Sequence, residues 1–275
     1  MKVTMIVTTY NWPEALRLTL KSIINQKFKP FEVIIADDGS DKRTEDMVKK
    51  TLTNSSLRWA HIWHEDKGVR QSRIKNLAVR YSSGKYLVFI DQDTVLHPLF
   101  LKDHVENSEN GLLLQGKRVL LSEILTKKLI DKGDIKELSF FSKGIKNRKN
   151  IIRSELLSSL FSRTKSFETS LRGCNISLFK EDFLRADGFD EVYDGSWGRE
   201  DSDLCFRLFH SGIKVKNLWF CAIQYHLYHE KPRWWDRDRL DNELKSTVEE
   251  KRKKAIIGYS KLNDEGIILN ASRGF

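Results

Sequence analysis

Cysteine is scarce in this sequence. Only Cys174, Cys205 and Cys221 occur in 275 residues, far apart, odd in number and with no CxxC pair. That excludes a zinc ribbon and a disulfide framework. It fits a reducing cytoplasm, with the three thiols acting as small buried apolar groups. No apolar run approaches the length that crosses a bilayer. The N-terminus MKVTMIVTTY has one lysine and no small-residue cleavage site, so it reads as a core strand rather than a signal peptide. No internal repeat or low-complexity linker occurs, which argues against a second independent domain. No Gly-rich, basic phosphate loop follows the first apolar run. Support is therefore missing for a nucleotidyltransferase, which would also use paired carboxylates and Mg²⁺.

Basic charge is abundant. The formal net charge is +10, with much of the excess between Lys117 and Lys165 and in Lys245–Lys254. Such a balance suits an anionic partner: a phosphorylated ligand, an acidic membrane face or nucleic acid. Solvated helix faces are the plain alternative. The basic residues are not interleaved with aromatics in one stripe, which disfavours nucleic acid. A basic binding module without catalysis nevertheless stays open as the second functional reading.

Apolar runs rich in β-branched residues predict strands at VTMIVTT, FEVIIADD, LRWAHIW and KYLVFID. Between them, PEALRLTLKSIINQ predicts a helix with Pro13 at its first position and Leu16, Leu20, Ile23 and Ile24 on one face. TEDMVKKTL predicts a shorter helix. RQSRIKNLAVRYSSG predicts another, closed by Gly84. This alternation implies an α/β fold with a mostly parallel sheet covered on both sides. The region 112–167 carries possible helices at SEILTKKLI and RSELLSSLFSR and reads as a lid, an acceptor-binding segment or a mobile loop. Beyond it, CNISLFK predicts a strand, and EDFLRADGF a short helix stopped near Gly188. EDSDLCFRLFHSG predicts a helix closed by Gly212, KVKNLWFCAIQYH returns to strand character, and RDRLDNELKSTVEEKRKKAIIGY predicts a helical tail.

Ligands of parallel sheets bind beyond the carboxyl ends of the strands. Thr8 to Asn11, Asp37 with Asp38, and Asp91 with Asp93 all fall there. In FIDQD, alternation along an extended chain would put Asp91 and Asp93 on one side, where two hard oxygen donors suit Mg²⁺ or Mn²⁺. In DGSWGREDSDL, Gly195 and Gly198 suggest a tight path and Trp197 an apolar plate for a sugar ring. Glu200 and Asp201 open a helix whose N-terminus favours ionised carboxylates, and such a carboxylate can act as a general base. Asp203 reads instead as a structural partner of Arg207 at i,i+4. His226 and His229 follow an apolar run, and either imidazole could complete a metal site with the DQD carboxylates.

Taken in order, VTTYN, IADDGS, Gly68-Val69-Arg70 with Lys75-Asn76, and FIDQD resemble the front half of family 2 glycosyltransferases. RGCNISLFKEDFLRADGFDE followed by GSWGREDSDLCFRL resembles the galactosyltransferase-type half found in many of them. The resemblance spans roughly Val3 to His229. It implies a GT-A fold: a Rossmann-like, mostly parallel sheet flanked by helices, with a C-terminal acceptor-binding half. The halves would be residues 1–110 for the nucleotide sugar and 111–235 for acceptor and catalysis, with a helical tail at 236–275.

By the same resemblance, Tyr10 packs on the nucleotide base beside Thr8, and Asp38 reads the base edge, usually uracil. Arg70 and Lys75 approach the phosphates, although lysine stands at 75 where arginine is more usual. Asp93 ligates the metal, with Asp91 sharing it or meeting the ribose. Asp201 is the catalytic base, and Glu200 binds hydroxyls together with Trp197 and Gly198. His226 is the late metal ligand, with His229 as fallback. Gln92, at the centre of DQD, is expected to matter little. The implied activity is inverting, metal-dependent transfer from a UDP-sugar to a hydroxyl of a glycan or lipid-linked glycan, using Mn²⁺ or Mg²⁺. The implied setting is the cytoplasm, with possible contact at the inner face of the membrane through the tail helix. Lipopolysaccharide, capsule and protein glycan all stay open as products.

Overall fold

The structure is a computed structural model that describes residues 1–133, 138–165, 171–230 and 236–275. Its front half alternates as the sequence implies. Strands β1 (Val3–Thr9), β2 (Glu32–Asp37), β3 (Trp59–His64) and β4 (Tyr86–Asp91) are linked by helices α1 (Pro13–Ile24), α2 (Lys42–Leu52) and α3 (Gln71–Arg80). The four strands are mutually parallel in the order β3-β2-β1-β4. They are buried on both faces. Ile6, Ile34 and Ile62 pack with Ile74, Leu77 and Ala78 of α3, while Met5, Val7, Val33 and Ile35 pack with Leu16, Leu20 and Ile23 of α1. Burial on both faces explains why the strands read as unbroken apolar runs rather than alternating ones.

Past β4, the chain forms β5 (Thr94–Leu96), α4 (Phe100–Glu106), β6 (Leu112–Gln115), β7 (Arg118–Leu121), α5 (Glu123–Lys132), β8 (Ile145–Lys146), α6 (Glu155–Phe161) and β9 (Arg163–Lys165). Then come β10 (Asn175–Phe179), α7 (Lys180–Arg185), α8 (Glu200–His210), β11 (Lys214–Asn217), β12 (Gln224–His226), α9 (Arg237–Glu249) and β13 (Ile267–Ala271). Among the described residues these strands build a nine-stranded sheet, β13-β3-β2-β1-β4-β10-β6-β11-β9, and a four-stranded sheet, β5-β12-β7-β8. The region read as lid, acceptor segment or loop thus has defined elements. It supplies β9 to one sheet and β7 and β8 to the other, while residues 134–137 and 166–170 lie outside the described set.

The main sheet is mixed, and most of its strands run one way: β1 to β4, β6 and β11 share a direction, while β10, β9 and β13 run against it. The strand character of 214–226 is divided between two sheets, broken where Phe220 and Ala222 take positive φ. Two expectations are corrected. Helix α3 stops at Arg80, and Gly84 is not its cap. Gly84 lies so close to β1 that a Cβ there would sit 2.3 Å from Thr4 Oγ1. Its N–H donates to Thr4 Oγ1 and to the buried carboxylate of Glu32. Finally, the tail is helical only to Glu249, and part of the rest pairs with β3. The residues of β13 are mostly exposed or half-exposed, so their apolar pattern is weak in the sequence.

Candidate active site

Parallel β1, β2 and β4 end together. Thr8 pairs in register with Asp91 on one side and Ala36 on the other, so the first and fourth strand ends lie side by side. Thr8 Oγ1 is buried and has no hydrogen-bond partner. Tyr10, just beyond, is exposed, and its hydroxyl donates to Asp66 Oδ2 at 2.9 Å. The DDGS turn is gripped from β3. His61 Nε2 lies 2.8 Å from Asp37 Oδ2, and His64 Nε2 lies 2.7 Å from Asp38 Oδ1. Gly39 has φ +93°, and a Cβ there would meet the backbone of Asp66 at 2.6 Å, so this turn needs glycine.

Asp38 has a second task. Helix α3 has no side-chain cap of its own, and the N–H of Arg70 donates to Asp38 Oδ2 at 2.9 Å. Burial raises the Asp38 pKa, opposed by His64 and by the Arg70 amide. The N–H groups of Ser72 and Arg73 are accepted by Asp194. Two distant carboxylates therefore satisfy the open amides of this helix. The Arg70 guanidinium turns to the carbonyl of Glu65, and its Nε is buried without a partner.

The DQD residues part company. Strand β4 ends at Asp91, and Gln92 and Asp93 form a turn before β5. The extended geometry expected through Asp93 is therefore absent. Gln92 is a clasp, not a neutral spacer. Its Oε1 accepts from Thr9 Oγ1 (2.5 Å) and Tyr10 N (3.1 Å), and its Nε2 donates to Tyr10 O (2.9 Å). The side chain ties the exit of β1 to the exit of β4.

Asp93 faces both histidines. Its Oδ2 lies 3.4 Å from His226 Nε2 and 3.0 Å from His229 Nε2, and the three ligand atoms fall within 4.8 Å of one another. Nδ1 of His226 donates to the carbonyl of Leu227, and Nδ1 of His229 to that of Glu230. Those bonds commit each Nδ1 as donor and aim the two Nε2 atoms at Asp93, the usual outer-shell arrangement of metal-binding imidazoles. Asp93 Oδ1 is buried with no partner at all. Burial would raise the Asp93 pKa, but the hydrogen bond from His229 and the charges of both imidazoles bring it below the ordinary value. The donor set and the orphaned oxygen fit a divalent cation. Both histidines join the group, so the choice between them dissolves. Asp91 does not belong to it.

Asp91 lies instead in a second cluster with Lys75, Glu200 and Asp201. Lys75 Nζ is 2.8 Å from Glu200 Oε1, and both side chains are largely buried. Burial would lower the Lys75 pKa, but the charges of Glu200 and Asp91 outweigh it and keep the ammonium protonated. Asp91 is pushed up to about 7, by burial first and then by Asp93, Glu200 and Asp201, with Lys75 opposing. Asp201 is pushed up to about 6, by burial first and then by Glu200. Its Oδ2 accepts from Gly173 N at 2.7 Å and its Oδ1 from Ser202 N at 2.6 Å, so the carboxylate is held in one orientation.

Trp197 and Gly198 lead into this helix start. Trp197 is half-buried, and Gly198 and Arg199 both take positive φ (+105° and +75°). Asp203 is structural, as expected. It pairs with the fully buried Arg207 at 2.7 Å and accepts from Thr247 Oγ1 at 2.8 Å, fastening α8 to α9. Sequence reading missed His61, His64 and Gln92. The signal for the histidines was present: two polar rings in an otherwise buried strand. A depression of about 500 Å³ between Phe31, Arg58 and Ser272 lies at the amino ends of β2 and β3, away from all these groups.

A mixed sheet flanked by helices, with acidic groups gathered at the ends of its parallel strands, is the architecture of the GT-A fold. The particular family follows from sequence. Residues 4–154 match the profile described as glycosyl transferase family 2, and residues 157–230 match one described as the N-terminal domain of galactosyltransferase. The chain belongs to family 2. Among curated proteins it is 27% identical to a chondroitin synthase of Escherichia coli over 83% of this chain and 34% of that one. It is 26% identical to the GalNAc(5)-diNAcBac-PP-undecaprenol beta-1,3-glucosyltransferase of Campylobacter jejuni over 71% of this chain and 57% of that one. The chain thus spans about a third to a little over half of these relatives. Among solved structures, S. aureus TarS 1–349 in complex with UDP superposes with TM-score 0.58 at 20% identity, covering 91% of this chain and 65% of that one. The mannosyltransferase PcManGT from Pyrobaculum calidifontis, in complex with GDP-Man and Mn²⁺, gives 0.57 at 17%, covering 85% and 58%.

Proposed function

We propose that this glycosyltransferase moves a sugar from a nucleoside diphosphate donor, UDP-linked, to a hydroxyl of a glycan with inversion at the anomeric carbon. The observation that carries the reading is the meeting of Asp91, Lys75, Glu200 and Asp201 beside the Asp93, His226 and His229 group at one sheet edge. The bound nucleotides of the two similar structures, UDP and GDP-Man, support a nucleotide-sugar donor. Residues 1–110 serve the donor, residues 111–235 the acceptor and catalysis, and 236–275 form a supporting tail.

In this reading Tyr10 stacks on the base, Thr8 and Asp38 bind the nucleoside, and Arg70 and Lys75 present positive charge to the phosphates. Asp93, His226 and His229 would hold a Mn²⁺ or Mg²⁺ ion, which when bound supplies charge to the diphosphate leaving group. Asp201 takes the proton of the acceptor hydroxyl as its oxygen bonds to C1. The C1–O bond to the phosphate breaks, and the diphosphate leaves with the electron pair. A single displacement inverts the centre. A half-buried carboxylate with a raised proton affinity is suited to accept that proton. Glu200, held by Lys75, orients hydroxyls together with Trp197 and Gly198.

The test is Asp201→Asn. Turnover should fall by at least about two orders of magnitude while UDP binding survives. Near-normal turnover sinks the base assignment.

The setting proposed is cytoplasmic, against the inner face of the membrane. No described helix is long and apolar enough to cross a bilayer. The tail helix is a poor anchor, because its Leu240 is buried against the body. Helix α6 is a better candidate: it carries three exposed apolar side chains, Leu156, Leu160 and Phe161, with basic residues in the same region. Flotation with anionic liposomes at low and high salt checks this. Binding that ignores either salt or a Leu156→Ser/Leu160→Ser change rejects it.

A further inference from the structure

The chain passes twice, side by side, from the nine-stranded sheet to the four-stranded one. Strand β6 crosses to β7 through Gly116 and Lys117, and β11 crosses to β12 through residues 218–223. β6 is parallel to β11 and β7 to β12, so the two crossings are neighbours. They bring Lys117 against Trp219, with Nζ 4.6 Å from the indole centroid. Lys117 Nζ also donates to Asn217 Oδ1 at 2.8 Å. A third segment adds Lys149, whose Nζ is 4.7 Å from the same ring. That segment is fastened to β7 by a bond from Asn150 Nδ2 to Arg118 O. Lys165 at the end of β9 and Arg172 before β10 lie close enough to act on the charge of Lys117.

Two ammonium groups share one indole here, and no described carboxylate pairs with Lys117, Lys149 or Arg172. The aromatic face attracts each cation and offsets part of their mutual repulsion. Burial, with Lys165, Arg172 and Lys149 around it, presses the Lys117 pKa down to about 8. An anion would relieve that repulsion, and the basic residues come from four separate segments rather than one charged run. The cluster also adjoins the catalytic carboxylate. Gly173, next to Arg172, donates its N–H to Asp201, and Asn175 Nδ2 donates to Lys117 O.

We propose that Lys117 and Lys149 around Trp219, with Arg172 close to Lys117, form an acceptor subsite for a negatively charged sugar unit, one bearing a carboxylate or a phosphate. The proposal rests on the transferase reading only in calling the ligand an acceptor.

Calorimetry at low salt, in the presence of UDP and Mn²⁺, would compare three probes: a tetrasaccharide alternating uronic acid with N-acetylhexosamine, the neutral chitin tetrasaccharide, and a glycerol phosphate oligomer. The arm that binds tells carboxylate from phosphate. One acidic probe should bind at least about ten-fold tighter than the neutral one, an advantage lost near 0.5 M salt as screening shortens. Lys117→Gln with Lys149→Gln should bring the acidic and neutral probes to within about three-fold of each other, and the exposed Lys149→Gln alone should remove part of the advantage without threatening the fold. Equal binding of acidic and neutral probes, no binding of either acidic probe, or a preference that survives the double change overturns the subsite. A wild-type chain that shows the preference but consumes no nucleotide sugar overturns the transferase reading and leaves the subsite standing. Consumption of a nucleotide sugar without any preference does the reverse.

Discussion

Glu200→Gln tests how the carboxylate cluster sets its own proton affinity. Asp201 has its pKa pushed up to about 6, by burial first and by Glu200 second, with Lys75 opposing. If Asp201 is the base, turnover must fall in acid. At pH 5 about a tenth of a group with pKa 6 is ionised, whereas a carboxylate at its ordinary value would be almost fully ionised there. A fall of about ten-fold between pH 8 and pH 5 is therefore itself a prediction. The substitution removes the neighbouring negative charge and breaks the ion pair that ties the Lys75 ammonium to Glu200. Both changes favour ionised Asp201. One nearby charge moves a carboxyl by about 1–3 units, and partial access to water argues for the lower end. The acid limb should then shift down by about one unit, so that at pH 5 the variant keeps about half of its own plateau rate. Asp91 is raised by Glu200 as well, so its response has the same sign. The assay is release of the nucleoside diphosphate at saturating donor and Mn²⁺ across the pH range. A wild-type rate that is flat in acid, or a limb that stays put or moves up in the variant, refutes the reasoning.

Other outcomes follow from the same contacts. Asp93→Ala removes the oxygen donor facing both histidines, so Mn²⁺ should no longer raise the melting temperature or strengthen UDP binding in calorimetry. In the wild type the Mn²⁺ effect should fade in acid as the ligands take up protons. Gln92→Ala severs the three bonds between the β1 and β4 exits. At about 1 kcal/mol each, this should raise the donor KM at least several-fold in steady-state kinetics with less effect on kcat. Asp203→Ala strands the fully buried Arg207. That should cost about 3–5 kcal/mol in chemical denaturation. Gly84→Ala drives a methyl group into Thr4, an overpacking cost of about 1–3 kcal/mol in the same measurement.

Much of this protein was determined by sequence alone, because the determining interactions are local or periodic. Unbroken apolar runs marked β1 to β4, since strands covered on both faces need no polar positions. Helical spacing marked α1, and the i,i+4 offset of Asp203 and Arg207 announced a structural pair. Acidic residues just after apolar runs marked Asp38, Asp91 and Asp93 as lying at the carboxyl ends of the strands. Tertiary structure decided what depends on distant neighbours. Asp91 and Asp93 are two residues apart, yet a turn sends one to Lys75 and Asp201 and the other to His226 and His229. Gln92 became a clasp only because β1 ends beside β4. Gly84 proved necessary because Thr4, eighty positions away, leaves no room for a side chain. The edge strand β13 and the cations around Trp219 were invisible for the same reason: pairing and charge act through space, and a linear pattern records only what lies within a turn or two of itself.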